Sequence, residues 1–149
     1  MRSGKKRILL ICGGNTCRSP MAKVILEQKL KAAGKLDAFM IDSAAYSYPT
    51  YQGASINARE AIKELFGEDL LVSHKAKRLM PDLVEQADLI LVMGEGMKED
   101  LPLDKTWTLK EYAGGTGDVA DPLVGTLETY LECVKELSSL LEKVLPNLG

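Results

Sequence analysis

The chain has 149 residues, of which 46% are hydrophobic and 27% charged, and its 19 basic and 21 acidic side chains leave a formal net charge of −2. A chain of this length reads as one domain, residues 1–149, burying roughly two-thirds of the surface its unfolded form exposes. The charge balance supplies no field that would gather nucleic acid or an anionic membrane, and no stretch is long enough to span a bilayer. Three cysteines, an odd count without secretory context, read as free thiols in a reducing cytoplasm.

Met1 to Arg7 precedes an apolar run, as the start of a signal peptide does, but the run stops at Ile11, short of an h-region. The segment reads instead as a tail before a first strand, Arg7–Cys12. Ser19-Pro20 suits a helix start, because Ser caps well and Pro is favoured at the first helical position. Ala22, Ile25, Leu26 and Lys29 share one face of that helix, and Gly34 ends it. Phe39–Ser43 reads as a second strand. The loop after it, Ala44–Gly53, carries Tyr46, Tyr48 and Tyr51 and reads as an exposed amphipathic loop whose aromatics have a second possible place at the site's rim.

Ser55–Phe66 has helical spacing and ends at Gly67, while Leu70–Lys77 is ambiguous. Met80-Pro81 opens a short helix to Gln86, and Leu89–Met93 is the clearest buried strand. Gly94–Leu101 suits another short helix, Thr106–Leu109 a fourth strand, and Glu111–Val124 a loop rich in Gly, Asp and Pro. Thr126–Leu145 closes the chain as a long helix with Leu127, Tyr130, Leu131, Val134, Leu137, Leu141 and Val144 on one face. Short apolar runs alternating with helical segments mark an α/β fold with a parallel sheet.

The segment Cys12-Gly13-Gly14-Asn15-Thr16-Cys17-Arg18-Ser19-Pro20 sits where a strand gives way to a helix. Backbone N–H groups of such a loop, above a helix N-terminus, bind phosphate. A bare anion site needs neither a thiol at its mouth nor a guanidinium at its far end. As a thiolate, Cys12 is a competent nucleophile toward phosphorus, and Arg18 can hold two phosphoryl oxygens in its planar fork. Ser19 and Asn15 can donate to the thiolate or fix the loop's shape. Attack would give a phosphocysteine that water must cleave, and both steps need a proton shuttle. Asp121, stiffened by Pro122, is the candidate, with Asp118 its rival.

In this form the loop resembles that of the low-molecular-weight protein tyrosine phosphatase family. Further matches are Asp42-Ser43-Ala44, His74-Lys75-Ala76, Ala87–Met93 and Asp118-Val119-Ala120-Asp121-Pro122. The resemblance implies a three-layer α/β/α domain with a four-stranded parallel sheet and the phosphate loop between strand 1 and helix 1. It implies no metal or organic cofactor. It makes Cys12 the nucleophile, Arg18 the phosphate clamp and Asp121 the general acid and base, with Gly13, Gly14, Asn15, Thr16, Cys17, Arg18 and Ser19 around the phosphate. Asn15, Ser19, Ser43 and His74 fall in the network that braces the loop. The partners so implied are phosphorylated proteins.

Two departures bear on substrate. Thr16 stands where many members carry a bulky aliphatic residue, and Leu123-Val124-Gly125 stand where many have aromatic residues after Asp-Pro. Thr16 and the run from Leu109-Lys110-Glu111-Tyr112 to Pro122 resemble the family's bacterial protein-arginine-phosphatase branch. That resemblance implies phosphoarginine as substrate, with phosphotyrosine the alternative and Thr16 and Leu123 as selectivity residues. An arsenate reductase needs two further cysteines close in sequence. Only Cys133 remains, and it reads as core. Cys17 is either a partner for an oxidised Cys12 or a buried thiol packed behind the loop. A non-catalytic phosphate-binding module is the reading from another class, and it would need neither Cys12 nor Asp121.

Overall fold

A computed structural model describes residues 4–49 and 51–148. The first three residues of the expected tail, and Thr50 in the tyrosine loop, lie outside that range.

The elements run β1 (Lys6–Cys12), α1 (Arg18–Ala32), β2 (Phe39–Ala45), α2 (Ile56–Phe66), α3 (Pro81–Gln86), β3 (Leu89–Val92), β4 (Thr106–Thr108), α4 (Leu109–Tyr112) and α5 (Leu127–Val144). All four strands are parallel, in the order β2-β1-β3-β4. Helices cover both faces, as parallel sheets require. The period of two along the central strands divides the core: Ile8, Leu10 and Cys12 of β1, with Leu89, Leu91 and Met93, enter the larger cluster under α1 and α5. Leu9, Ile11, Ile90 and Val92 enter the smaller one, where Leu83 and Val84 of α3 pack. Strands buried on both faces have no polar side to alternate with, which is why their sequences read as unbroken apolar runs.

The order matters for function because it reverses at β1. The chain leaves β1 toward β2 on one side and returns to β3 on the other. In open α/β sheets, ligands sit beyond the carboxyl ends of the strands at such a point. Cys12 is the last residue of β1 and therefore opens directly onto it.

Several elements differ from their sequence expectation. α1 starts at Arg18 rather than at a Ser19 cap, and Cys17 occupies the N-cap position with no side-chain cap. The Ser19 hydroxyl is used elsewhere, as described below. Gly94–Leu101 forms only a 3-10 turn, Glu95–Lys98. The expected fourth strand stops at Thr108, and the expected loop from Glu111 begins later. Thr108 Oγ1 accepts from Glu111 N at 3.0 Å while Glu111 Oε1 accepts from Thr108 N at 2.9 Å, a capping box that starts α4. α5 buries Tyr130, Val134, Leu137, Leu141 and Val144, and Cys133 with them, as expected, while Leu127 and Leu131 of the expected face are only partly buried. Among the described residues, no helix is long and apolar enough to cross a membrane.

Leu91 is fully buried at the middle of the sheet, between β1 and β4. Leu91→Ala should lower the free energy of unfolding by about 2–5 kcal/mol in urea titration, the range for an apolar cavity in a core that collapses only partly. A loss under about 1 kcal/mol would contradict this packing.

Candidate functional site

The loop from Cys12 to Ser19 is held in shape from below by Asn15. Its φ of 57° is left-handed, a conformation that Asn tolerates better than most side-chain-bearing residues. The side chain is fully buried and every hydrogen bond it makes goes to a different part of the fold. Nδ2 donates to Ser19 Oγ and to Ser43 Oγ, each at 2.9 Å, and Oδ1 accepts from Lys77 N at 3.0 Å. The Asn15 carbonyl accepts from His74 Nε2 at 2.8 Å, which assigns the proton to that nitrogen. Backbone bonds complete the cradle: Tyr46 N to Cys12 O at 2.8 Å, Ser47 N to Gly13 O at 2.9 Å, and Ser55 N to Thr16 O at 3.0 Å.

Ser19 passes this order on to the thiol. Its Oγ lies 2.9 Å from Cys12 Sγ. With Cys12 as a thiolate, the hydroxyl is the donor. The residue expected to cap the helix thus points back into the loop from the first turn of α1.

Arg18 is almost wholly buried at the start of α1. Its Nη1 donates to Val119 O at 2.8 Å, and Nη2 lies 3.4 Å from Asp121 Oδ2. Nε is buried and has no hydrogen-bond partner among the described residues. The loop carrying Asp121 is itself tied to the sheet: Val119 N donates to Met93 O at 2.8 Å, and Met93 N to Ile11 O at 2.9 Å. Asp121 Oδ1 accepts from Leu123 N at 3.0 Å, which fixes the turn, while the side chain stays half-exposed. Asp118 points elsewhere, accepting from Glu95 N at 2.9 Å beside Gly94.

Cys12, Gly14, Thr16, Cys17, Arg18 and Asp121 line a pocket of about 50 Å³, with Tyr51 and Leu123 completing its wall. Of the residues picked out in the sequence, Asn15, Ser19, Ser43 and His74 lie behind it, and Gly13 is outside its lining. Among the described residues, no group of three or more His, Cys, Asp or Glu side chains is placed to hold a metal ion.

The three tyrosines of the loop after β2 separate. Tyr46 packs on the smaller core and donates to Glu99 O at 3.3 Å; Tyr48 lies under the Arg78 guanidinium at 3.7 Å; Tyr51 reaches the pocket. Tyr48 and Tyr51 are exposed, as an amphipathic loop would have them, and Tyr51 also takes the place at the site's rim.

Tyr130 is a residue whose place in the site the sequence did not reveal. From α5 its hydroxyl donates to Leu123 O at 3.4 Å and accepts from Ser55 Oγ at 3.2 Å, with Cys17 Sγ also at 3.2 Å. One buried hydroxyl thus joins the phosphate loop, the N-cap of α2 and the loop carrying Asp121. Burial pushes the Tyr130 hydroxyl up to about 12, so it stays protonated and able to donate. Cys17 packs against it as a free thiol, and Cys133 is likewise buried and free, its thiol pushed up to about 12 by burial.

A thiol at the end of β1, a buried arginine and a half-exposed carboxylate thus line one small pocket, the set of groups a cysteine-dependent phosphatase uses. The family model for low molecular weight phosphotyrosine protein phosphatase matches residues 7–149, and the chain belongs to that family. The protein-arginine-phosphatase of Geobacillus stearothermophilus is 34% identical over 149 residues, covering 95% of each chain. The low molecular weight protein-tyrosine-phosphatase PtpB of Staphylococcus aureus is 30% identical over 143 residues, covering 93% of this chain and 96% of its own. The crystal structure of a low molecular weight protein tyrosine phosphatase from T. tengcongensis superposes with a TM-score of 0.89 at 39% identity, over 97% of this chain and 100% of that one.

Burial is the main cause that holds the His74 imidazole below its ordinary value, with Lys23 and Lys77 adding to it against the Asn15 carbonyl bond. The folded protein therefore disfavours imidazolium, and between the lowered value and about 6.5 the unfolded chain binds more protons. His74 contributes stability above about pH 6.5 that is lost as pH falls through its folded value. Wild type should lose more thermal stability than His74→Gln between pH 7.5 and pH 5.5, about the range in which imidazole charges. Parallel losses in the two proteins would contradict this assignment.

Proposed function

We propose that the chain is a protein phosphatase that hydrolyses phosphoarginine through a phosphocysteine intermediate. The observation that carries the reaction is the convergence of Cys12, Arg18 and Asp121 on one pocket, with Arg18 Nε buried and without a hydrogen-bond partner among the described residues. Arg18 Nε and Nη2 take two phosphoryl oxygens, and Nη1 stays on Val119 O to hold the fork's plane. The Cys12 thiolate attacks phosphorus; the P–N bond of phosphoarginine breaks, and Asp121, protonated, gives its proton to the departing guanidine. Asp121, now a carboxylate, takes a proton from water as that water attacks the phosphocysteine. Inorganic phosphate leaves and the thiolate is restored. Ser19 Oγ, 2.9 Å from Cys12 Sγ, stabilises the thiolate at both ends of the cycle.

Thr16 supports the choice of phosphoarginine. It lines the pocket with Cys12 and Arg18. Against a bulky aliphatic residue it offers a hydroxyl for a polar, flat phosphoguanidinium and removes bulk, effects worth about 1–2 kcal/mol each. The relative from Geobacillus stearothermophilus is named a protein-arginine-phosphatase. The second reading, phosphotyrosine, is favoured by Tyr51 in the pocket wall and by the relatives named tyrosine phosphatases. On either reading the chain acts as a single domain over residues 1–149, on phosphorylated proteins in the cytoplasm, without metal or organic cofactor and without nucleic acid or membrane.

Wild type should hydrolyse p-nitrophenyl phosphate, and Cys12→Ser should bind inorganic phosphate without turnover. Wild-type rates in Cys12→Ser would refute the nucleophile. On matched peptides, wild type should prefer phosphoarginine over phosphotyrosine. Thr16→Ile should shift that ratio toward phosphotyrosine by about tenfold. A wild-type preference for phosphotyrosine would decide for the second reading.

A further inference from the structure

Beside the phosphoryl pocket lies a second, much larger cleft of about 560 Å³, lined in part by Tyr51, Ala54, Ile56, Asn57, Leu123 and Tyr130. Tyr51 and Leu123 belong to both, so the two spaces share a wall. The smaller, about 50 Å³, takes a phosphoryl group and the atoms next to it, and whatever is attached to that group must continue outside. We propose that the cleft receives the substrate protein's chain beside the phosphorylated residue and favours an uncharged, apolar side chain there. This rests on the phosphatase reading above and extends it to the substrate's flanks.

The chemistry of the lining gives the preference. Among the described residues, no charged one lines the cleft. Ile56 is 77% exposed and Tyr51 57% exposed, so both keep apolar surface in water that a flanking aliphatic side chain would cover. A further cleft, which shares Asp121 with the phosphoryl pocket, differs in kind. It has about 240 Å³ and carries Glu132 and Glu136, which disfavour acidic flanks.

The cleft's floor is fixed relative to the reacting atoms. Ser55, immediately before Ile56, caps α2 by accepting from Ala58 N at 3.2 Å, and its own N–H donates to Thr16 O at 3.0 Å. Its hydroxyl also donates to Tyr130 OH. The first turn of α2 is thus tied to the phosphate loop at one end and to α5 at the other. A peptide lying on it meets a prearranged surface, which lowers the cost of ordering on binding.

The test compares two phosphopeptides that differ only in carrying leucine or aspartate on each side of the phosphorylated residue. Wild type should turn over the leucine peptide with a kcat/KM about tenfold higher, expressed in KM, as expected for partial burial of one aliphatic side chain. In Ile56→Lys, which replaces exposed apolar surface with a cation at the first position of a helix, that ratio should fall close to one. Equal efficiencies of wild type on the two peptides, or an undiminished ratio in Ile56→Lys, overturn the cleft's role. Turnover of p-nitrophenyl phosphate in the same samples then leaves the phosphatase reading standing. Wild type inert toward p-nitrophenyl phosphate and both peptides would overturn both.

Discussion

The site depends first on the buried Asn15 side chain. An eight-residue turn around an anion has to point several backbone N–H groups inward at once, and left alone a peptide does not hold that shape. Asn15 holds it by adopting φ 57° and spending its amide on three partners from α1, β2 and the segment before Arg78. A buried amide with its hydrogen-bonding groups satisfied stabilises one conformation sharply, because each alternative would strand a polar group away from water. His74 closes the arrangement by binding the Asn15 carbonyl. These internal bonds fix the loop's shape, which is the condition the proposed chemistry needs for electrostatic stabilisation without reorganisation.

The second constraint is topological. Cys12 and Asp121 are over a hundred residues apart in the chain, and they meet because β1 and β3 are neighbours at the point where strand order reverses. The path is short: Ile11 to Met93, Met93 to Val119, and Val119 O to Arg18. Tyr130 adds a tie from α5 to the same loop through Leu123 O. The acid loop is thereby referenced to the sheet and to the closing helix, although its sequence is rich in glycine and aspartate.

The parts of this that were legible in the sequence are those written in local pattern. β1 and β3 stood out because strands covered on both faces are continuously apolar, and the phosphate loop because thiol, arginine and serine recur at a spacing that only a strand-to-helix turn brings together. α4 carries a local signal too, the Thr108 and Glu111 capping box, but the Gly- and Asp-rich composition that follows it reads as loop. The Ser19-Pro20 pair misled: local propensity favours a cap, but the neighbouring thiol and Asn15 amide bind the hydroxyl instead. Tyr130 looked like any core aromatic because helical periodicity reports burial and says nothing of where a hydroxyl ends. Its partners lie 7, 75 and 113 residues away. Tyr46, Tyr48 and Tyr51 were beyond pattern for the same reason, their fates being set by Glu99, Arg78 and the pocket.

The central claim is that phosphoryl transfer passes through Cys12 with Asp121 handling the protons. It is tested most directly by mixing Asp121→Asn with p-nitrophenyl phosphate, quenching during turnover and locating bound phosphate by mass spectrometry. The account predicts one phosphoryl group per chain, on the sulfur of Cys12, accumulating because the variant lacks the base that activates water. A phosphoryl group on another residue, or none at all while the wild type turns over, would contradict it.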